Sequence, residues 1–315
     1  LLIPKEELFF DSLHLLRSYK AKIFIFMDRK IRFLVLVAFS PQTEIIVEQG
    51  CNLAKRYNAE VNMLYVFDSS RTKGFFTRPG DEDKMKRNAE EQFLEYIELQ
   101  RNKYAIEIEG VFIEGRVYET IIDVAKSIMA SLIIMGTNGA TGLKGQFIGS
   151  NTMRVVKRSP CAVLTIRGKE HRTGCENIVL PLDLTKETTQ KVEQAVDFAK
   201  MFKSTIRAVS IVNANDQEII DKLTDQMEKV VENVTKSGVS CQAALVKTVK
   251  GEDSLPLAII SYSEKVKADV IMIMTQQETN PTEYFIGSRA QTIINRSNIP
   301  VLSVLPRKIE SLDIL

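Results

Sequence analysis

The sequence predicts an α/β fold: two tandem doubly wound domains, each a five-stranded parallel sheet flanked by about four helices. Three observations predict it. An order of apolar run, helix and apolar run occurs twice and in step along the 315 residues, opening near residue 31 and again near residue 178. The apolar runs are rich in aliphatic residues and lack alternation, as in Leu132-Ile133-Ile134-Met135 and Val270-Ile271-Met272-Ile273-Met274, so they read as strands covered on both faces. A helical stretch separates each run from the next, which is the crossover that parallel neighbours require.

The first copy opens with Ile31-Arg32-Phe33-Leu34-Val35-Leu36-Val37, then Ala38-Phe39-Ser40-Pro41 and a helix with Ile45, Ile46, Cys51, Leu53 and Ala54 at helical spacing. The second opens with Ile178-Val179-Leu180-Pro181-Leu182, then Asp183-Leu184-Thr185 and a helix carrying Val192, Ala195, Val196 and Ala199. Ser40 and Thr185 are expected N-caps, because a hydroxyl oxygen there accepts a bond from the first helical turn. Strands follow at 61–67 and 206–212, then helices at 82–102 and 215–237 that are charged on one face. Third strands are expected at 105–113 and 240–249, and third helices after Gly115 and Gly251. The two buried strands quoted above come next. Each copy closes with a loop, a short helix and a Pro-led strand, Pro160 to Ile166 and Pro300 to Leu305.

These repeats set the expected boundaries at 30–167 and 176–306, with a polar linker at 168–175 and a tail at 307–315. Residues 1–29 are read as an N-terminal extension. Met27 is the first methionine, and charged residues interrupt every apolar piece before it, so none reaches the roughly 20 apolar residues of a spanning helix.

Composition is that of a globular protein, 44% apolar and 26% charged. A net charge of +2 gives no bulk electrostatic reason to expect nucleic acid or an anionic membrane as partner. The four cysteines are scattered without a C-x-x-C pair, which suggests reduced thiols in a cytoplasmic protein rather than zinc ligands or disulfides. His14 and His171 fall in the extension and the linker, with no partner that would make them a base.

Five of the fifteen glycines, Gly136, Gly139, Gly142, Gly145 and Gly149, lie in one loop. It leaves the carboxyl end of a buried strand and enters a short helix, the place where open α/β sheets bind ligands. Glycines there let the backbone approach a phosphate, and the helix start at Gly149-Ser150 offers N–H groups and the positive end of a dipole. The loop is neither a Walker A sequence nor the dinucleotide G-x-G-x-x-G pattern. The alternative is a long glycine-rich turn with no ligand. Lys144, Arg154, Lys157 and Arg158 sit on the loop and helix, where cations are more often solvated than liganding.

The spacing Gly136-x2-Gly139-x9-Gly149-Ser150 resembles the signature of ATP-binding universal stress proteins, as do the preceding Ile134-Met135 and the strand Arg158-Ser159-Pro160-Cys161-Ala162-Val163-Leu164-Thr165-Ile166. The resemblance covers 30–167 and 176–306. It implies ATP or another adenine nucleotide held between the ends of the first and fourth strands, with any Mg2+ carried by the nucleotide. Gly136, Gly139, Gly149 and Ser150 would hold phosphates and ribose, and Val66 would meet the adenine. Val37, Ala38 and Met135 would line the strand ends. The resemblance further implies that strands 161–166 and 301–305 pair edge to edge, here within one chain; a further homodimer is left open.

Two departures qualify it. Ala38 stands where the family's ATP binders commonly place an acid, and one lost charge-assisted bond is worth about 1.5–3 kcal/mol. The second copy keeps an acid, Asp183, and Gly287-Ser288, but Met274-Thr275-Gln276-Gln277-Glu278-Thr279-Asn280-Pro281 lacks the early glycines. Pro removes an N–H there and carboxylates repel phosphate, so nucleotide is expected in the first domain and not in the second. Three functions stay open at this point: a non-enzymatic regulatory, stress-response protein that binds nucleotide; a slow nucleotide hydrolase; and a structural module without ligand.

Overall fold

The computed structural model describes residues 30–71, 80–137, 148–167, 174–185, 188–213, 217–248, 255–275 and 287–306. The chain divides into a short unit, Leu1–Ile31, and a large one, Arg32–Leu315, which holds both repeats. The expected extension 1–29, linker residues 168–173 and tail 307–315 lie outside the described residues, as do His14 and His171.

The first repeat builds β1 (Arg32–Leu36), α1 (Thr43–Tyr57), β2 (Glu60–Phe67), α2 (Asp81–Tyr104), β3 (Ile108–Glu114), α3 (Val117–Ser127), β4 (Leu132–Gly136), α4 (Ser150–Arg158) and β5 (Ala162–Ile166). The second builds β6 (Asn177–Pro181), α5 (Thr188–Phe202), β7 (Thr205–Asn213), α6 (Gln217–Lys236), β8 (Cys241–Thr248), α7 (Leu255–Lys265), β9 (Val270–Met274), α8 (Ser288–Arg296) and β10 (Val301–Val304). The ladders put the repeats in residue-for-residue correspondence. Arg32 pairs with Glu60 as Asn177 pairs with Thr205, and Phe33 pairs with Leu132 as Ile178 pairs with Val270.

Within each repeat the strand order is 3-2-1-4-5 and every pairing is parallel. The two sheets then join through one antiparallel seam between β5 and β10, with Val301 opposite Thr165, Leu302 opposite Leu164 and Ser303 opposite Val163. The result is a single ten-stranded sheet, β3-β2-β1-β4-β5-β10-β9-β6-β7-β8. An apolar edge strand exposes unpaired backbone to other chains, and here each repeat covers the edge of the other.

Packing also crosses the seam. One apolar cluster holds Leu34, Ile133, Val155 and Val163 of the first repeat together with Val179, Ile271, Ile293 and Val301 of the second. A second contact joins α1 to the end of α5. The Phe202 ring, 1% exposed, stacks on Phe33 with centroids 6.2 Å apart and meets Tyr57 edge-on at 4.5 Å. The Tyr57 hydroxyl donates to the Phe202 carbonyl at 2.8 Å, and Arg56 pairs with Glu176 nearby.

Three local expectations need correction. Ser40 does not cap α1. Pro41 and Gln42 form a turn in which the Ser40 carbonyl accepts from the Thr43 amide at 2.9 Å, and the Ser40 amide donates to the Thr43 hydroxyl at 2.9 Å. Gln42 is the residue before the helix and makes no side-chain cap bond. Thr185 likewise turns its hydroxyl to the Asp183 carboxylate. Strand β3 starts three residues later than expected, because α2 runs on to Tyr104 and closes with Ala105 in the left-handed region (φ 51°), its amide bonded to the Arg101 carbonyl at 2.9 Å.

Candidate functional site

In the first repeat the chain moves from β1 outward through β2 and β3, then returns to lay β4 on the other side of β1. The carboxyl ends of β1 and β4 therefore form the switch point at which helices and loops diverge and leave a crevice. Val37, 4% exposed, ends the first arm, with its amide bonded to the Leu64 carbonyl at 2.9 Å, and half-buried Ala38 follows. Met135, 6% exposed, and Gly136 are the last residues of β4, directly across the switch point. Val66 lies next to last on β2, opposite Ile113, half-buried against the core.

The two ends of the glycine loop are stitched together. The Gly149 amide donates to the Thr137 carbonyl at 2.8 Å, and the Thr152 hydroxyl donates to the Gly136 carbonyl at 3.0 Å. The start of α4 is thereby held against the end of β4. This geometry revises the role expected of Gly149, whose own amide is engaged with the protein. The amides of Ser150, Asn151 and Thr152 remain ahead of the first helical bond, Met153 to Gly149 at 3.1 Å, and have no acceptor inside the helix. A Cβ at Gly149 would lie 3.3 Å from the Thr137 oxygen, tighter than an ordinary contact, so the close approach of loop and strand favours glycine. Gly139 and Lys144 lie outside the described residues.

Thus Val37, Ala38, Met135, Gly136, Gly149 and Ser150 lie at the adjoining carboxyl ends of β1 and β4, with Val66 one strand away. Of the basic residues, Arg154 is engaged elsewhere: its guanidinium lies over the Tyr118 ring at 4.9 Å. Sequence reading missed Thr137 and Thr152, which close the loop, since neither belongs to the glycine spacing. It also missed Phe39. That residue follows Ala38 in the left-handed region (φ 45°), uncommon for a bulky side chain, and its ring rests on Tyr65 at 5.3 Å and on Tyr96 at 5.7 Å.

The second repeat treats the same positions differently. Asp183 corresponds to Ala38, and Lys191 on α5 corresponds to Ile46 on α1. The Asp183 carboxylate accepts from Lys191 Nζ at 3.2 Å, from the Thr185 amide at 3.3 Å and from the hydroxyls of Thr185 and Thr188. Burial alone would raise this carboxyl, yet the Thr185 bonds and the Lys191 charge outweigh it and hold it below the usual carboxylate range. The acid and its cation are present together in one repeat and replaced by an apolar pair in the other. Beside them the strand ends leave a cavity of about 500 Å3 with a mainly aliphatic lining, including Leu182, Ile211, Leu223, Met272 and Met274, and with Gly287-Ser288 at its rim.

Burial raises all four thiols above the ordinary cysteine value. Burial pushes Cys51 up to about 12 and Cys161 up to about 11, and Cys175, buried beside Asp269, is raised further still. Among the described residues no group of three or more His, Cys, Asp or Glu gathers as a metal site, and no helix is long and apolar enough to cross a membrane.

Comparison with known proteins gives the same two repeats. The profile of the universal stress protein family matches residues 31–167 and again 174–304. Universal stress protein MJ0531 of Methanocaldococcus jannaschii is 30% identical over 122 residues, 38% of this chain and 72% of that protein. The crystal structure of a universal stress protein from Archaeoglobus fulgidus DSM 4304 covers 88% of this chain and 97% of its own, with TM-score 0.67 at 19% identity, a likeness of fold. Another Archaeoglobus fulgidus universal stress protein has been solved in complex with dAMP; it is 20% identical over 42% of this chain and 98% of its own, with TM-score 0.34. The chain belongs to the universal stress protein family, as two such domains fused in one polypeptide.

Proposed function

We propose that the chain is a regulatory, stress-response protein whose first repeat binds an adenine nucleotide at the ends of β1 and β4, and that it acts by binding rather than by turnover. One observation carries the reading: the stitched loop delivers the start of α4 to the end of β4 at the switch point. Three first-turn amides and the dipole of α4 there suit a phosphate group. Gly136 and Gly149 keep side chains out of the approach, and Val37, Val66 and Met135 supply the apolar surface that a base requires.

The second repeat does not take nucleotide on this reading. Its strand end carries Met274 in place of Gly136, and its carboxylate is committed to Thr185, Thr188 and Lys191. Binding without turnover is favoured by Ala38, since a carboxylate is the group that would hold a metal against the phosphates. Titration calorimetry of the full chain with ATP and AMP, followed by phosphate-release measurements, tests both parts. Binding without release above a Gly136→Val variant is the expected result. No heat at millimolar nucleotide would leave a structural module, and sustained release would restore an enzyme.

A further inference from the structure

The return limb of the glycine loop is held by two consecutive amides. That of Gly149 is bonded within the first repeat, to Thr137. That of Ile148 is bonded across the seam: it donates to Asn295 Oδ1 on α8 of the second repeat at 2.7 Å. Asn295 sits on a firm support, because its neighbours Ile293 and Ile294 are 3% and 1% exposed in the shared apolar cluster. Ile148 immediately precedes Gly149, so the direction in which it is held sets how the next amides, those of Ser150 and Asn151, leave the helix end.

We propose that Asn295 is a positioning residue for the nucleotide loop of the first repeat, so that the binding site is completed by the second. The inference rests on the reading of the first repeat as the nucleotide site. The first repeat offers no matching acceptor in return. Asn295 is the eighth residue of α8, and the eighth residue of α4 is Lys157, whose ammonium has donors and no acceptor. Two copies of the first repeat paired through their last strands would therefore lack this bond. Fusion to a diverged second repeat supplies it, which gives that repeat a role in nucleotide binding without a nucleotide of its own.

The test uses the full chain and two readouts. Amide exchange at Ile148, followed residue by residue by NMR without nucleotide, should accelerate at least severalfold in Asn295→Ala and stay slow in Asn295→Asp, which keeps an acceptor oxygen. Calorimetry should show ATP affinity falling about three- to tenfold in Asn295→Ala, the loss of one neutral hydrogen bond. Adenosine affinity should change less than twofold, because the amides in question face the phosphates. Unchanged exchange at Ile148 overturns the contact, and equal losses for ATP and adenosine overturn the positioning role in favour of general destabilisation. If the wild-type chain binds neither ligand, the nucleotide reading fails and the positioning role falls with it, while the exchange data show separately whether the bond exists.

Discussion

Replacing Phe202 by Ala tests whether the two repeats are packed as one body. The ring comes from α5 of the second repeat, yet two of its aromatic neighbours, Phe33 and Tyr57, belong to the first. Its third, Phe198, lies 4.2 Å away on the same helix. Removing a fully buried Phe costs about 3–5 kcal/mol through lost transfer energy and the cavity left behind. The upper part of that range applies here, because aromatic pairs add about 0.5–1.5 kcal/mol each and three are lost. For a chain of this size each kcal/mol lowers the midpoint by about 2–4 °C, so a fall on the order of 10 °C is expected in scanning calorimetry. Phe202→Leu, which keeps bulk but no ring, should cost about 1–2 kcal/mol. A loss under about 1 kcal/mol for the Ala variant would refute the reasoning, since a side chain 1% exposed between two repeats cannot be removed so cheaply.

Two further outcomes follow from the strand ends. Thr152→Val keeps shape and removes the bond to Gly136; nucleotide affinity should fall about fivefold, with a loss of about 1 kcal/mol in stability, measured by calorimetry and urea unfolding. Equal affinity in the variant would show that the stitch does not shape the site. In the second repeat, the Asp183 carboxyl is depressed in the folded state, so its contribution is present above the unfolded value near 3.9 and is lost as pH falls through the lower folded value. Wild type should therefore exceed Asp183→Asn by about 1–2 kcal/mol from pH 5 to 8, a figure discounted for the 35% exposure of the Asp183 side chain. The gap should narrow below about pH 4, and a gap independent of pH would contradict the ion pair with Lys191.

Much of the fold is legible in the sequence because the strands are covered on both faces. Runs such as Leu132 to Met135 and Val270 to Met274 have one physical explanation, and the repeat confirms each element with a second instance. The edges of elements are less legible. Asn58, which ends α1 in the left-handed region, is a residue that tolerates it, whereas Ala105 does the same job for α2 and carries no such signal. The start of α1 was hidden similarly, because a Ser-Pro pair reads as a cap and here forms the turn before the helix. At the site, the glycines announce where a backbone comes close but not which amides stay available: Gly149 is engaged by Thr137. The Asn295 contact was beyond reach, since an Asn inside a helix is unremarkable and its partner lies 147 residues away in sequence.

The central claim, one nucleotide site completed in the first repeat, is tested most directly by the stoichiometry of ATP binding to the full chain. Titration calorimetry at saturating protein concentration should give one ATP per chain, displaced by AMP. Two ATP per chain would show that the second repeat binds as well, and none would contradict the account.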